Sequence, residues 1–376
     1  MVLRPTMKVS QLIAVFTLKT AKAAANKRPS AHFIPSFIPS SKIISNNDGF
    51  TKSITSASDI PLFLRGGQQI QSRTNLRTHP ILNESSLLFN VSPFFRYNSI
   101  LGLINFLGMG ISLAFPRMQY HLDLLGTGAF ALASILTVWS AAYTFADLPL
   151  RMQVSSVAVV IWSVKLAGFL FFRACQVKDD KRLESLLSTA PGTITFWVLS
   201  FIWGFVSSLP HSLGLTSSLM GPNIYLLLGS IIFATGLLTE STADFQKWMW
   251  KQRHPGKFCN AGLWSISQHP NFFGNVLIWT GIAVMNAPAL IQPIAFDDSS
   301  SIVTKAVTVV WSLRRAIMAL LSLMFLWFFF NGQAQGVIGS GVQESLKRYG
   351  DDSNYQDYVD TVPLLVPDLR ILFDKR

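Results

Sequence analysis

Glu240, Asp244 and Lys247 stand at i, i+4 and i+7, so their side chains fall on one face of a helix. Two carboxylates and an ammonium stacked in this way can exchange a proton or hold a charged ligand, although a solvated helix end can carry the same pattern. Lys165 lies inside the apolar run Val160-Ile161-Trp162-Ser163-Val164-Lys165-Leu166-Ala167, seven residues from the end of its hydrophobic stretch. That is about 10 Å along a helix, far for one side chain to snorkel, so Lys165 is expected to face a polar partner inside the protein. Charge within an apolar segment is costly and marks a functional position by default. Arg314 and Arg315 are adjacent, cannot share a face, and suggest no site. The densest polar stretch follows: Gly256-Lys257-Phe258-Cys259-Asn260-Ala261-Gly262-Leu263-Trp264-Ser265-Ile266-Ser267-Gln268-His269-Pro270-Asn271-Phe272-Phe273-Gly274-Asn275.

The elements that position these groups are membrane spans. Half of the 376 residues are hydrophobic and only 13% are charged, against about 25% in soluble domains, and the mean hydropathy is +0.38. Apolar runs at about 98–115, 121–145, 153–172, 193–209, 223–239, 272–292 and 307–330 approach the roughly 20 residues that a bilayer core demands of a helix. The spacing predicts an all-α bundle of about seven transmembrane helices. Small residues such as Gly126, Gly128, Ala131 and Ser134 permit close helix packing. Gly126-Thr127-Gly128-Ala129-Phe130-Ala131 follows no strand, so it reads as packing rather than as a dinucleotide fingerprint.

Charge gives the bundle a direction. One set of loops carries Arg117, then Arg173, Lys178, Lys181 and Arg182, then Lys247, Lys251, Arg253 and Lys257, then Lys347 and Arg348; the other carries Asp147, Arg151, Asp297 and Asp298. The positive-inside rule predicts the first set inside, with the N-terminus outside and the C-terminus inside. Residues 1–97 hold 12 Lys/Arg against 3 Asp/Glu and read as a targeting or disordered segment ahead of a membrane domain over 98–376. This basic, Ser-rich, acid-poor leader suits a secretory or organelle address. The endoplasmic reticulum is the first expectation and a plastid or mitochondrial membrane the alternative. The net charge of +12 resides mostly in that leader, so it does not point to nucleic acid. Cys175 and Cys259 offer no disulfide framework and no metal spacing, and no metal is expected.

The stretch ending at Asn275 resembles the signature of the steroid 5α-reductase C-terminal superfamily, usually G-L-W-x-x-S-R-H-P-N-Y-x-G-E. The resemblance extends to Trp162–Arg173 with Asp180-Lys181-Arg182 upstream, and to Gly339-Ser340-Gly341-Val342, Tyr355-Gln356-Asp357-Tyr358 and Pro363-Leu364-Leu365-Val366-Pro367 downstream. It covers about 120–370, with the densest motifs in 240–370, and is strongest to the unassigned oxidoreductases of that superfamily. It implies an inside-facing NADPH pocket and hydride transfer to an activated C=C bond of a lipid-soluble, enone-like substrate, with no nucleic-acid partner. The residues implied for cofactor binding are Lys165, Arg173, Asp180, Arg182, Asp244, Lys247, Lys257, Trp264, His269, Asn271, Phe272 and Tyr355. Those implied for catalysis are Tyr358, Asn275 and Glu240.

Four positions depart from the superfamily pattern. Gln268 stands where it has Arg, Phe272 where it has Tyr, Asn275 where it has Glu, and Lys165 where it has Arg. Gln268 removes a potential phosphate anchor worth about 1.5–3 kcal/mol, and Asn275 removes a carboxylate. Two other functions are therefore carried along: an S-adenosylmethionine-dependent lipid or prenylcysteine methyltransferase, whose families share the R-H-P-x-Y-x-G core, and a non-catalytic membrane scaffold.

Overall fold

The computed structural model describes residues 92–116, 118, 120–140, 144–176, 187–291, 301–339 and 341–371. The leader before residue 92 and the loop positions Arg117, Lys178, Asp180, Lys181, Arg182, Asp297 and Asp298 lie outside them. Among the described residues the regular structure is helical: α1 (Pro93–Ala114), α2 (His121–Trp139), α3 (Leu150–Gln176), α4 (Ala190–Ser207), α5 (Leu209–Gly214), α6 (Asn223–Arg253), α7 (Pro270–Leu290), α8 (Ile302–Ala334), α9 (Gly341–Tyr349) and α10 (Ser353–Thr361). Seven of these, α1–α4 and α6–α8, are long and apolar enough to cross a membrane. The chain is a multi-span α-helical membrane protein.

The boundaries follow local chemistry. Proline opens α1 and α7, where its missing N–H costs nothing. Thr189 Oγ1 accepts from Gly192 N at the start of α4, and Ser301 Oγ from Thr304 N at the start of α8. The fifth apolar run ends near residue 239, yet α6 continues to Arg253 because nothing breaks the helix before His254-Pro255-Gly256. This extension carries Glu240, Asp244 and Lys247 beyond the apolar stretch.

The most extensive helix pair is α6 with α7, and glycine makes it close. Gly229 and Gly236 on α6 meet Gly281 and Gly274 on α7 backbone to backbone. A methyl group built on Gly274 would lie 2.6 Å from Glu240 N, and one on Gly281 would lie 2.5 Å from Phe233 N. Such small-residue contacts substitute for the hydrophobic drive that lipid cannot supply between helices. They also bring Glu240 against Asn275, the residue after Gly274. Gly274→Val is expected to cost about 1–3 kcal/mol or more by overpacking and to part that pair. Thermal unfolding of the purified protein in detergent would show it as a lowered midpoint.

The remaining core is aromatic. Phe130, Trp162, Trp203 and Trp279 pack edge to face or tilted, with Trp162 and Trp279 centroids 5.0 Å apart. Gly126 and Gly128 lie within α2 beside Ser200 and Ala167, which is the packing role expected of them.

Candidate functional site

The extension of α6, the C-terminal half of α3 and the first turns of α7 meet at one end of the bundle. Glu240 is its deepest acid, 3% exposed. Its Oε1 accepts from Asn275 Nδ2 at 2.8 Å and from Trp162 Nε1 at 3.4 Å, and its Oε2 from Lys165 Nζ at 3.0 Å. Lys165 also reaches Asp244 Oδ2 at 3.2 Å. The inward polar partner expected of Lys165 is therefore this acid pair. Asn275 has a further consequence. Its amide draws the Glu240 carboxylate of α6 to the start of α7 across the helix contact.

Lys247, on the next turn, turns away from Lys165 and lies over the Trp264 ring, 4.0 Å from its centroid, a cation–π contact. Arg173 and Lys247 are near enough to Asp244 to act on its charge. Polarity thus changes along roughly 10 Å of α6, from a buried carboxylate at Glu240 to the Lys247 ammonium, with the Arg173 guanidinium supplied by the end of α3. Arg173 and Lys257 are exposed.

The loop after α6 and the tail close this end together. Trp264 Nε1 donates to Ala243 O, and Tyr358 Oη donates to Trp264 O at 2.8 Å. Tyr349, Tyr355 and Tyr358 surround Phe258. Burial raises the Tyr358 hydroxyl above the ordinary tyrosine range, so it stays a neutral donor whose proton is committed to a carbonyl. Gln268 joins the loop to the tail. Its Nε2 donates to Val359 O and Val362 O and its backbone N–H to Pro363 O, while Ser267 Oγ donates to Leu365 O. Where an arginine would have offered a phosphate anchor, the amide caps the end of α10 and fastens the tail.

His269 stacks on Phe272 with ring centroids 5.0 Å apart, and Phe272 packs on Phe330. Burial, helped by the Lys247 charge, lowers His269 to about 3. It is neutral at physiological pH and can stack or hydrogen-bond there without contributing a positive charge. The unfolded chain takes up this proton near pH 6.5 and the folded one only near 3, so His269 destabilises the fold as pH falls between those values. His269→Asn is expected to flatten the dependence of thermal stability on pH between about 6.5 and 4; an unchanged slope would rule the histidine out as its source.

Asn271 Oδ1, Asn275 Oδ1 and Trp279 Nε1 are buried and have no hydrogen-bond partner. Buried polar atoms are normally satisfied, so these three, with Trp250 Nε1 and His254 Nδ1 further along the chain from Lys247, still call for a ligand or water. Lys165, Asp244, Glu240 and Asn275 form one contact group. Lys247, Trp264, Tyr355, Tyr358 and the loop around Lys257 form a second beside it. Asp180 and Arg182 lie outside the described residues.

Sequence reasoning missed a second polar centre. Arg151, expected in a loop with Asp147, is inside the first turn of α3 and 1% exposed. Its guanidinium donates to Leu219 O, Gly214 O, Ser217 O and Asn286 Oδ1. From Asn286 the network continues through Ser155 to His211 and Ser134. The helix begins at Leu150, ahead of the expected 153, and turns Arg151 inward.

Compared with known proteins, residues 111–362 match a family described as a protein of unknown function (DUF1295). No curated protein and no solved structure matches the chain.

Proposed function

Because the chain belongs to DUF1295, a family of unknown function, its reaction has to come from its own residues, and we propose that it is an NADPH-dependent reductase of a C=C bond in a lipid-soluble, enone-like substrate. The observation that carries this reading is the polarity along α6. The outer cations Lys247 and Arg173 suit a polyanion, Arg by bidentate contact and Lys as a point charge. The inner Glu240 and Asn275 suit a neutral ring bearing an amide. Asn271 Oδ1 is buried and unpartnered in the first turn of α7, and together with Lys247 and Arg173 it fits a phosphorylated dinucleotide laid phosphates outward. A sulfonium cofactor without phosphates would make no use of the basic rim, which would then only reflect the positive-inside bias.

NADPH would supply a hydride when bound. Arg173, Lys247 and Asn271 would hold it, Trp264 and Tyr358 would fix the loop over it, and Asn275 with Glu240 would orient the reacting end. The Trp162, Trp279 and Phe130 rings keep water from that end, which strengthens every electrostatic contact there. Lys165 Nζ, shared between Glu240 Oε2 and Asp244 Oδ2, would hold both carboxylates in place beside that end. The substrate would enter sideways from the bilayer. The reading resembles the steroid 5α-reductase chemistry expected from the sequence, with a carboxylate of α6 beside Asn275.

Titration of the purified protein with NADPH, NADH and S-adenosylmethionine, followed by thermal shift, tests this. A rise in the midpoint with NADPH is expected. Stabilisation by S-adenosylmethionine alone would overturn the reading in favour of a methyltransferase, and no response to any of the three would favour a scaffold.

The proposed orientation sets the basic end and the C-terminus on the cytosolic side, in the endoplasmic reticulum or a plastid or mitochondrial membrane. Cys175 is exposed and Cys259 is buried, its thiol pushed up by burial. In sealed vesicles whose cytosolic face is outward an impermeant maleimide should therefore modify Cys175 without permeabilisation, and Cys259 not at all without denaturant. Protection of Cys175 until the vesicles are permeabilised would reverse the orientation.

A further inference from the structure

Far from the charged end, α2 and α3 leave a groove of about 440 Å³ on the perimeter of the bundle, inside the roughly 300–1,000 Å³ range of small-molecule sites. Its walls are Ile135, Trp139, Phe145, Val157, Val160 and Ile161. All but Val160 are exposed at the surface, so in a membrane the groove opens onto hydrocarbon.

Three hydroxyls border it. Ser134 Oγ is 3.1 Å from His211 Nε2, and Thr144 Oγ1 donates to Asp147 Oδ2 at 2.8 Å. Ser156 is 3% exposed and its Oγ has no partner. Thr137, Ser207, Ser212 and Ser322 share this lack of a partner, but of these five hydroxyls only Ser156 lines the groove; Ser230, Thr235, Thr280 and Thr308 each return their proton to the carbonyl four residues back. Ser156, with the same option at Met152, does not. An unmatched hydroxyl in an apolar wall costs free energy that a ligand oxygen would recover.

We propose that this groove binds an uncharged membrane lipid made of a hydrocarbon body with one hydroxyl or keto oxygen, a sterol-type molecule, whose oxygen pairs with Ser156. Among the described residues that line it there is no Lys or Arg for an anionic headgroup. Ser156 lies six residues into α3, about 9 Å along its axis, deeper than a headgroup rests, and a plain acyl chain would leave its hydroxyl unmatched. Lys165 is nine residues further, about 14 Å along the helix, so this site is separate from the proposed reaction centre and does not depend on the reductase reading.

The test is photolabelling in phosphatidylcholine nanodiscs with a diazirine-bearing sterol that keeps its free hydroxyl, followed by peptide mapping. Labelling is expected within 134–139 and 156–161, displaced by excess unlabelled sterol. Ser156→Ala should weaken it roughly five- to ten-fold, the scale of one hydrogen bond, and Val160→Trp should abolish it by filling the groove. Labelling confined to other segments, labelling indifferent to Ser156→Ala, or displacement of the probe by a diacyl lipid as readily as by sterol would each overturn the proposal. If Val160→Trp fails to fold, as judged by helical circular dichroism and elution, Ser156→Ala still decides, since it removes a single oxygen.

Discussion

Replacing Lys165 by Met is expected to lower the stability of the protein by about 3 kcal/mol, the lower end of the cost of breaking a buried ion pair from one side. The lower end applies because the lysine side chain keeps 23% of its surface exposed. Its two acid partners are better enclosed, at 4% and 13%, and without Lys165 each must take up a proton or remain charged in an apolar setting. For a bundle of this size that corresponds to a fall of roughly 6–12 °C in the thermal midpoint. The second substitution is the informative one. Glu240→Gln in the Lys165→Met background removes the deeper stranded charge, keeps the Asn275 and Trp162 contacts as amide hydrogen bonds, and should restore at least half of the lost stability. If the group is also the proton and orientation centre of a reductase, that restored protein should still turn over roughly 10²–10⁴-fold more slowly, the usual contribution of a positioned acid or base. Recovery of both stability and NADPH oxidation in the double variant would show that the trio is structural only. A double variant no more stable than the single one would show that Glu240 is not the partner that matters.

Most of what led to that experiment was legible in the sequence, for reasons that can be named. The seven apolar runs became seven span-length helices because length and hydropathy are one-dimensional properties. Lys165 could be assigned an inward partner because its distance from the end of its run exceeds its reach. The i, i+4 spacing of Glu240 and Asp244 put both on the face that Lys165 meets. Pair geometry was less visible. Lys247 falls on the same face by spacing, yet it follows the Trp264 ring, and Trp264 is positioned by a loop and a tail that no periodicity describes. Gln268 and Asn275 read as losses in the sequence, since a missing charge shows there and its replacement does not. In the fold, Gln268 caps α10, and Asn275 meets a carboxylate of α6 through the close approach at Gly236 and Gly274. Arg151 was hidden for a different reason: its partners are backbone carbonyls and one asparagine, and among the described residues no acid pairs with it.

Arg151 therefore makes the second prediction with a large effect. Its guanidinium binds four acceptors, at 2.8 Å to Leu219 O, 3.2 Å to Gly214 O and 2.5 Å to Asn286 Oδ1, with Ser217 O as the fourth. Arg151→Met keeps the apolar stem and strands those acceptors. Leu219 and Ser217 lie at the partly exposed end of the bundle and can turn to water, so their loss is small. Gly214 and Asn286 are buried, and a buried acceptor left unmatched costs about 1–3 kcal/mol. The expected total is about 2–6 kcal/mol, the cost of two such buried acceptors. Arg151→Lys should recover less than half of it, because one ammonium cannot span acceptors that a planar fork reaches in three directions. Because this centre lies at the far end of α3 and α7 from Lys165, its loss should add to that of Lys165→Met within about 0.5 kcal/mol. Thermal midpoints of the two single variants and the double would read it directly. A clearly smaller combined effect would mean that the arginine network and the acid cluster are coupled through the aromatic core between them, and that the two ends of the bundle do not act independently.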